Sequence, residues 1–232
     1  MSLPWAEAIP LHLAPGELRL GDATTAFAAP ADLPAALERL AAARSLRGRR
    51  LELLLDDAYV HYLLLDWPAG VNTDEERGAY VRFRFQQLCG AACPAQVHAW
   101  ENARPDRKVL ASACDAALLA QVADWARLQR ARLAGARGAW LDAYNRHARG
   151  MTGQTGAFGL WRGGRCTLGV WQAGDWQALR SFAADGAAAV ADELARIAAA
   201  LGLAKGLCHL SGLPGGGNWP DGWRRVDVEA AP

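Results

Sequence analysis

The stretch LELLLDDAYVHYLLLDWPAGVNTDEERGAYVRFRFQQLCG, residues 51–90, decides the predicted fold. Its first half contains two apolar runs, Leu51–Leu55 and Ala58–Leu65, which have the length and composition of β-strands. Asp56 and Asp57 lie between the runs, and aspartates favour tight turns. The sequence therefore predicts that the two strands fold back on each other as a hairpin.

The second half of the stretch predicts a helix. Thr73 and Glu76 have the spacing of a capping box, in which each side chain accepts a hydrogen bond from the other residue's backbone N–H. Asp74 and Glu75 place negative charge at the positive end of the helix dipole. With the Trp67-Pro68 stop before it, this helix and the preceding strands predict one continuous α/β segment.

The composition is that of a folded globular protein. Of 232 residues, 52% are apolar, which is enough for a substantial core. The formal net charge is +1, so the chain lacks the basic excess of a dedicated nucleic-acid or anionic-membrane surface. No apolar run approaches the ~20 residues that span a bilayer, and the start MSLPWAEAIP lacks the pattern of a secretory signal. We expect a cytoplasmic protein that binds no nucleic acid and has no membrane span.

The cysteines predict neither a disulfide framework nor a metal site. Their number, five, is odd and their spacing is irregular. Cys89 and Cys93 are four residues apart, but no second pair lies near them in the sequence. We expect reduced thiols and no bound metal.

The rest of the chain predicts alternating strands and helices, and hence an α/β fold with mixed sheets. We expect a first lobe over residues 1–150, with an N-terminal hairpin and helix, and a second, smaller lobe over residues 151–232. The predicted elements are a hairpin (Leu11–Leu13, Glu17–Leu20), a helix (Asp32–Arg47), two antiparallel strands (Gln96–Ala103, Lys108–Ala113) joined by a turn at Arg104–Arg107, a helix capped by Asp115 that ends near Leu133, a short helix (Trp140–Ala148), a loop (Gly150–Gly156), a three-stranded meander (Ala157–Trp161, Cys166–Gln172, Trp176–Phe182), a helix (Asp185–Leu201) and two strands (Leu207–Leu210, Trp223–Val228).

No motif in the chain predicts a catalytic residue or a bound cofactor. The glycine run Gly212–Gly217 lacks the lysine and the following helix of a phosphate loop, and there is no G-x-S-x-G nucleophile motif. His61 and His147 have no partner at a mechanistic spacing, so a structural and a catalytic role both remain open for them.

Arginines form the basic clusters of the sequence, on two of the predicted helices. One interpretation is a solvated face offset by nearby acids, and the other is a docking surface for an acidic partner. Some of the ten tryptophans would add an aromatic part to such a surface, although most belong in the core. The candidate partner-binding residues are Arg77, Arg82, Arg84, Arg127 and Arg130.

The order of these motifs resembles a known group of proteins. Residues 51–90, KVLASACDAALLAQVADWARLQRARL (108–133), WLDAYNRHA (140–148) and CTLGVWQAGDWQALRSF (166–182) resemble the cytoplasmic actin-like domain of type II secretion protein L and the type IV pilus assembly protein M. The resemblance covers about residues 50–210. It implies an actin-like, ribonuclease H-like two-lobe architecture, in full or reduced form.

In active members of the actin-like superfamily, each lobe supplies an Asp-containing glycine turn at the phosphates of ATP. The matching positions are Gly16–Ala23 or Leu53–Val60 in the first half and Arg162–Gly169 in the second. Alanine follows Asp56-Asp57 where glycine is expected, and the second turn has no acid. The run Leu210–Gly215 falls where a glycine segment would contact adenosine. These departures imply a scaffold that does not hydrolyse ATP.

The resemblance implies a non-catalytic cytoplasmic scaffold or adaptor of a pilus or secretion assembly platform. Its partners would be a membrane subunit of the inner-membrane complex and, in second place, the assembly ATPase. Because the sequence contains no predicted membrane helix, the position of the protein at the inner membrane would depend on those partners. Two alternatives remain open. One is an actin-like ATPase or kinase that uses Asp56 or Asp57 and the Gly212–Gly217 loop; the other is an unrelated enzyme that uses His61 or a cysteine.

Overall fold

A computed structural model describes residues 8–90, 93–101, 107–151, 154–213, 215–216 and 218–229. Among these residues no helix is long and apolar enough to cross a membrane. The elements are, in chain order, β1 (Ile9–Ala14), β2 (Glu17–Leu20), β3 (Ala23–Ala26), α1 (Leu33–Ala42), β4 (Arg50–Leu55), β5 (Val60–Leu65), α2 (Asp74–Cys89), β6 (Gln96–Trp100), β7 (Val109–Asp115), α3 (Ala116–Leu128), β8 (Arg132–Gly138), α4 (Ala139–His147), β9 (Thr155–Arg162), β10 (Arg165–Gln172), β11 (Asp175–Ala183), α5 (Ala187–Leu201), β12 (Gly206–Ser211) and β13 (Trp223–Val228).

The chain divides into two compact units that are interleaved in sequence. Unit one holds the residues up to Val60 together with Pro94–Val97 and Cys114–Ala139. Unit two holds His61–Cys93, His98–Ala113 and the chain from Trp140 onward. These compact units are not the same thing as the two lobes of the predicted fold, so the predicted lobe boundary at residue 150 stays a prediction.

Unit one is built on a five-stranded sheet with the order β3-β2-β1-β4-β8. The first three strands form an antiparallel meander, whereas β4 runs parallel to β1 and β8 parallel to β4. Helix α1 contacts β2 and β3, and α3 contacts β8 and α1. The leucines of alternate strand positions are buried, and they are Leu11, Leu13, Leu18, Leu20, Leu51, Leu53 and Leu55. This period of two buries one face of each strand.

Unit two contains a second sheet with the order β11-β10-β9-β12-β13. Strands β9, β10 and β11 form an antiparallel meander, and β12 and β13 are parallel additions beside β9. One face packs against α5 through a core of aliphatic side chains and thiols. On α4, Trp140 and Tyr144 contact Phe158 and Trp176 of the sheet. The sheet is therefore covered by one helix on each face.

The two sheets have the same topology. In each, a three-stranded meander is followed by a helix and then by a strand parallel to the first strand, with a further parallel strand beside it. Strands β1, β2, β3, β4 and β8 thus correspond to β9, β10, β11, β12 and β13. The predicted pair of related α/β halves is confirmed at the level of strand order.

A smaller sheet, with the order β5-β7-β6, is inserted between β4 and α3 of the chain. Helix α2 packs on it through a compact core that includes Leu65, Val81 and Phe85. The capping box is confirmed, because Glu76 N donates to Thr73 Oγ1 at 3.2 Å and Thr73 N donates to Glu76 Oε2 at 2.9 Å.

The predicted hairpin of residues 51–65 is wrong. Strand β4 pairs on both of its edges, with β1 and with β8, so β5 belongs to another sheet. The predicted end of the long helix near Leu133 is also wrong, because α3 ends at Leu128 and Arg132–Gly138 is strand β8. Strand β8 forms because the edge of β4 that does not pair with β1 is available, and pairing there satisfies the backbone N–H and C=O groups of both strands.

The other elements agree with the prediction apart from their ends. The hairpin β1–β2, the cap of α3 by Asp115, the meander β9–β11 and the strands β12 and β13 are confirmed. Helix α1 ends at Ala42 instead of Arg47, and the short strand β3 was not predicted. The turn at Arg104–Arg107 and the loop at Gly150–Gly156 lie partly outside the described residues.

Candidate functional site

Two hairpin turns occupy equivalent places in the two sheets, and the predicted phosphate-turn segments Gly16–Ala23 and Arg162–Gly169 begin at or next to them. Asp22, the acid of the first segment, lies instead in the next turn, between β2 and β3. The turn between β9 and β10 corresponds by topology to the turn between β1 and β2. Both are two-residue turns, with Pro15-Gly16 between the paired residues Ala14 and Glu17 and Gly163-Gly164 between Arg162 and Arg165. The central residues carry no acid, and turns this short have few backbone amides to present to a phosphate.

Asp56 and Asp57 lie at the carboxyl end of β4 and are both 9% exposed. Asp56 Oδ1 accepts a hydrogen bond from Ala58 N at 2.9 Å, and Asp56 N donates to Leu13 O at 2.8 Å. Burial, and then the nearby Asp56 charge, raise the pKa of Tyr59. Asp56 therefore shapes the turn that leads into β5, as its composition predicted.

The glycine run after β12 has a structural explanation at its first residue. Gly212 has φ +80°, and an added Cβ would lie 2.4 Å from Trp161 O. A close approach to the β9 backbone therefore requires glycine there. Residues 214 and 217 of the run are outside the described residues.

A half-buried side of α2, together with Trp67 from the segment before it, forms a surface that we call the arginine–aromatic strip: Trp67, Arg77, Tyr80 and Arg84. The three helical members have the spacing i, i+3, i+7, which places them on one side of a helix. The Arg77 guanidinium carbon lies 5.7 Å from the centroid of the Trp67 ring, and that of Arg84 lies 5.7 Å from the Tyr80 ring. The Trp67 and Tyr80 ring centroids are 6.0 Å apart. The strip is thus a row of two arginines and two aromatic rings in cation–π and ring contact.

The buried side of α2 lies next to the strip, and Trp67 and Tyr80 of the strip pack against its core. Val81 and Phe85 are fully buried against Leu65 and Ala111. Gly78 lies so close to Trp100 that an added Cβ would be 3.3 Å from the indole ring. Because this side is fixed in a core, a packed helix presents Arg77, Tyr80 and Arg84, whereas Trp67 comes from the segment before that helix.

The other predicted partner-binding arginines are arranged differently. Arg82 is exposed on another side of α2, where its charge adds to burial in lowering the pKa of His98. Arg127 pairs with Asp124 at 3.1 Å, and both side chains are largely exposed. Arg130 has φ +55° just after α3. The structure brings Arg77 and Arg84 together with two aromatic rings, whereas Arg127 and Arg130 belong to unit one. Partner binding by the five predicted arginines stays a prediction.

The thiols and histidines do not converge on a nucleophilic centre. Burial raises the pKa of the Cys208 thiol to about 12. A hydrogen bond with Cys89 raises the pKa of Cys93 to about 11. His61 is exposed on β5, and the His147 ring lies 3.1 Å from Glu229 O. Within the described part of the chain, no three His, Cys, Asp or Glu side chains lie together as metal ligands would.

An open cleft of about 540 Å³ lies at the amino ends of β9, β12 and β13. It is on the opposite end of the sheet from the Gly163-Gly164 turn, because that turn follows the carboxyl end of β9. Its lining residues are Gln154, Thr155, Lys205, Gly206, Leu207, Gly222 and Arg224. Its described lining offers the cations of Lys205 and Arg224, one hydroxyl, one amide and backbone groups, and it includes no carboxylate or thiol.

Sequence reasoning found the arginines of the strip but missed the rings that accompany them. The spacing R-x-x-Y-x-x-x-R at residues 77–84 was the available signal for one ring. Trp67 lies ten residues before Arg77 in the sequence, and only the packing of the segment before α2 brings its ring to the helix. No sequence pattern predicts that contact.

The fold defines the class of protein: the chain has the actin-like fold. A crystal structure from Bacteroides thetaiotaomicron, described as a protein with actin-like ATPase fold and unknown function, matches with a TM-score of 0.60 and 12% identity over 89% of this chain and 82% of that chain. No family model matches the sequence, and no curated protein matches it. The predicted actin-like architecture with mixed sheets is confirmed.

Two further solved structures connect this fold with the groups named from the sequence. The PilM-PilN type IV pilus biogenesis complex matches with a TM-score of 0.58 and 14% identity, over 90% of this chain and 82% of that chain. The cytoplasmic domain of EpsL, an inner-membrane component of the type II secretion system of Vibrio cholerae, matches with a TM-score of 0.50 and 10% identity, over 95% and 89%. At these identities the likeness establishes the shared fold, so the predicted resemblance is confirmed at that level.

Proposed function

We propose that the chain is a non-catalytic cytoplasmic scaffold or adaptor of a type IV pilus or type II secretion assembly platform. It binds the cytoplasmic segment of a membrane subunit, and the assembly ATPase is a second partner. This partnership keeps it at the inner membrane. The actin-like fold that it shares with the PilM-PilN complex and with the EpsL cytoplasmic domain supports this role.

The observation that carries the non-catalytic part is the pair of two-residue hairpin turns at topologically equivalent positions. A nucleotide-binding actin-like protein needs an acid and a set of amides in each of these turns. Here the central residues are Pro15-Gly16 and Gly163-Gly164. Neither pair of central residues has a carboxylate that could hold Mg²⁺, which supports the proposal.

The rival function is an actin-like ATPase, and the description of the Bacteroides structure as an actin-like ATPase fold favours it. This rival would use Asp56 or Asp57. Asp56 Oδ1 already accepts the Ala58 amide at 2.9 Å in the turn, so Oδ2 is the oxygen that this rival would use to hold Mg²⁺.

A pull-down tests the proposal. The purified chain is incubated with the immobilised cytoplasmic tail of the membrane subunit encoded beside it, and a scrambled tail is the control. The proposal predicts stoichiometric retention on the native tail only. Retention on neither the native tail nor any other subunit of the platform would refute the proposal.

A further inference from the structure

We propose that the arginine–aromatic strip is the docking site for a short acidic segment of a partner protein. A carboxylate of that segment pairs with Arg84, and an aromatic or aliphatic side chain next to it lies on the Trp67 and Tyr80 rings. This inference rests on the proposed scaffold function and names the chemistry of the partner.

The geometry of Arg84 is the first support. Its Nη1 donates to the Tyr80 hydroxyl at 2.8 Å, and its guanidinium carbon lies 5.7 Å from the same ring. The guanidinium is thereby held by a neutral partner, with further N–H donors left for a ligand. An arginine fixed in this way loses less conformational entropy when it binds a carboxylate in a bidentate manner.

The charges around the strip are the second support. Among the described residues Arg84 has no carboxylate within ion-pair distance, whereas Arg127 on α3 pairs with Asp124 of its own helix. Arg77 pairs with Asp74 at 3.4 Å, but the Asp74 side chain is 91% exposed, so this pair is weak. The Arg77 Nε is buried without a hydrogen-bond partner. Arg84 is thus the arginine of the strip whose charge is paired with no described carboxylate.

The residue types are the third support. Tryptophan, tyrosine and arginine are the side chains that most often dominate binding energy at protein interfaces. All four members of the strip are partly buried, and its two rings, Trp67 and Tyr80, pack against the core of the inserted sheet. An apolar side chain next to a carboxylate would cover the rings and exclude water from the ion pair.

Membranes and nucleic acids fit the strip less well than a protein segment. Asp74, Glu75 and Glu76 crowd the first turn of the same helix, and the chain as a whole carries a formal charge of only +1. An extended polyanion would meet these acids, whereas a short segment can contact Arg84 without reaching them.

Fluorescence anisotropy with defined peptides tests the inference. The probe is a fluorescein-labelled peptide in which Asp-Glu-Phe-Glu-Asp is flanked by Gly-Ser spacers, and the control peptide has Asn and Gln in place of Asp and Glu. The full chain is compared with Arg84→Gln and with Arg82→Gln. Arg82→Gln is the matched control, because it removes the same charge from an exposed position of the same helix.

We expect the acidic peptide to bind with an affinity that falls as salt is added. Arg84→Gln should weaken binding about fivefold, the upper range for a partly exposed ion pair, while Arg82→Gln should change it less than about twofold. Equal effects of the two substitutions would overturn the inference, as would equal binding of the neutral peptide. Arg84-dependent binding to phosphatidylserine vesicles without peptide binding would also overturn it.

The native tail of the membrane subunit separates this inference from the scaffold function. A tail that binds the chain equally well after Arg84→Gln would refute the strip and leave the scaffold function intact. A chain that binds the acidic peptide in an Arg84-dependent way but retains no platform subunit would refute the scaffold function alone. Thermal melting checks that both variants fold: Arg82→Gln should match the native chain, and Arg84→Gln should melt only slightly lower because it loses the hydrogen bond to Tyr80.

Discussion

Gly169 in the middle of β10 is expected to tolerate no side chain. An added Cβ would lie 2.6 Å from Trp140 Cζ2 and 2.7 Å from Trp176 Cζ3. An ordinary contact of this kind is about 3.5–4.0 Å, so Gly169→Ala requires both rings to move by about 1 Å. Trp140 has no exposed surface, and its Nε1 donates to Phe158 O at 3.2 Å, which restricts the movement of this ring.

Overpacking of this kind costs about 1–3 kcal/mol. With an m-value of about 2 kcal/mol/M in urea, this corresponds to a fall of about 0.5–1.5 M in the unfolding midpoint, measured by far-ultraviolet circular dichroism. Gly135→Ala is the control, because Gly135 is also in a strand and a Cβ there would meet nothing within 4 Å. It should change the midpoint little. In the double variant with Trp176→Leu, the loss caused by Gly169→Ala should shrink, because one of the two rings is gone.

A midpoint for Gly169→Ala equal to that of the native chain would refute the packing of α4 on the second sheet. Additive losses in the double variant would show that the Trp176 ring is not the obstacle.

Further predictions concern the cap of α2 and the thiols. Thr73→Ala should cost about 1 kcal/mol in urea unfolding, since the Glu76 amide loses its acceptor. Backbone hydrogen bonds, first from Thr73, lower the pKa of Glu76. The stability that the Glu76 carboxylate adds should therefore be present at neutral pH and lost as the pH falls through that lowered pKa. Glu76→Gln should be less stable than the native chain at neutral pH and approach it in acid, and a constant difference would contradict this. At about pH 8, iodoacetamide should modify the exposed Cys89 in the folded chain but spare Cys166 and Cys208, as peptide mass spectrometry can check; early modification of Cys208 would contradict its burial.

Local chemistry made part of the fold predictable from the sequence. The capping box of Thr73 and Glu76 and the cap at Asp115 depend on residues three or fewer apart, and the structure has both. The two-residue turn at Gly163-Gly164 was equally local. Such features require no knowledge of distant strands.

The errors arose where distant pairing decides the structure. The hairpin of residues 51–65 looked favourable locally, but β4 takes parallel partners on both edges. The segment RLAGARG at 132–138 is poor in strand-forming residues, and it is a strand because it pairs with the free edge of β4. The register shift opposite Leu51 and Glu52 accommodates one extra residue in β8.

The candidate site was predictable to a similar extent. Its arginines were visible as a cluster on a predicted helix. The contact of Trp67 with Arg77 depends on how the chain packs between β5 and α2, and this packing is tertiary. The same holds for Arg127 and Arg130, whose separation from α2 into another unit has no signature in the sequence.

Isothermal titration calorimetry tests the central claim most directly, that this actin-like fold recognises a protein segment and does not bind nucleotide. The chain is titrated with the cytoplasmic tail of the membrane subunit, first alone and then in the presence of MgATP. The account predicts saturable binding of the tail that MgATP does not change, and no heat from MgATP alone. Saturable binding of MgATP, with no heat from the tail, would contradict it.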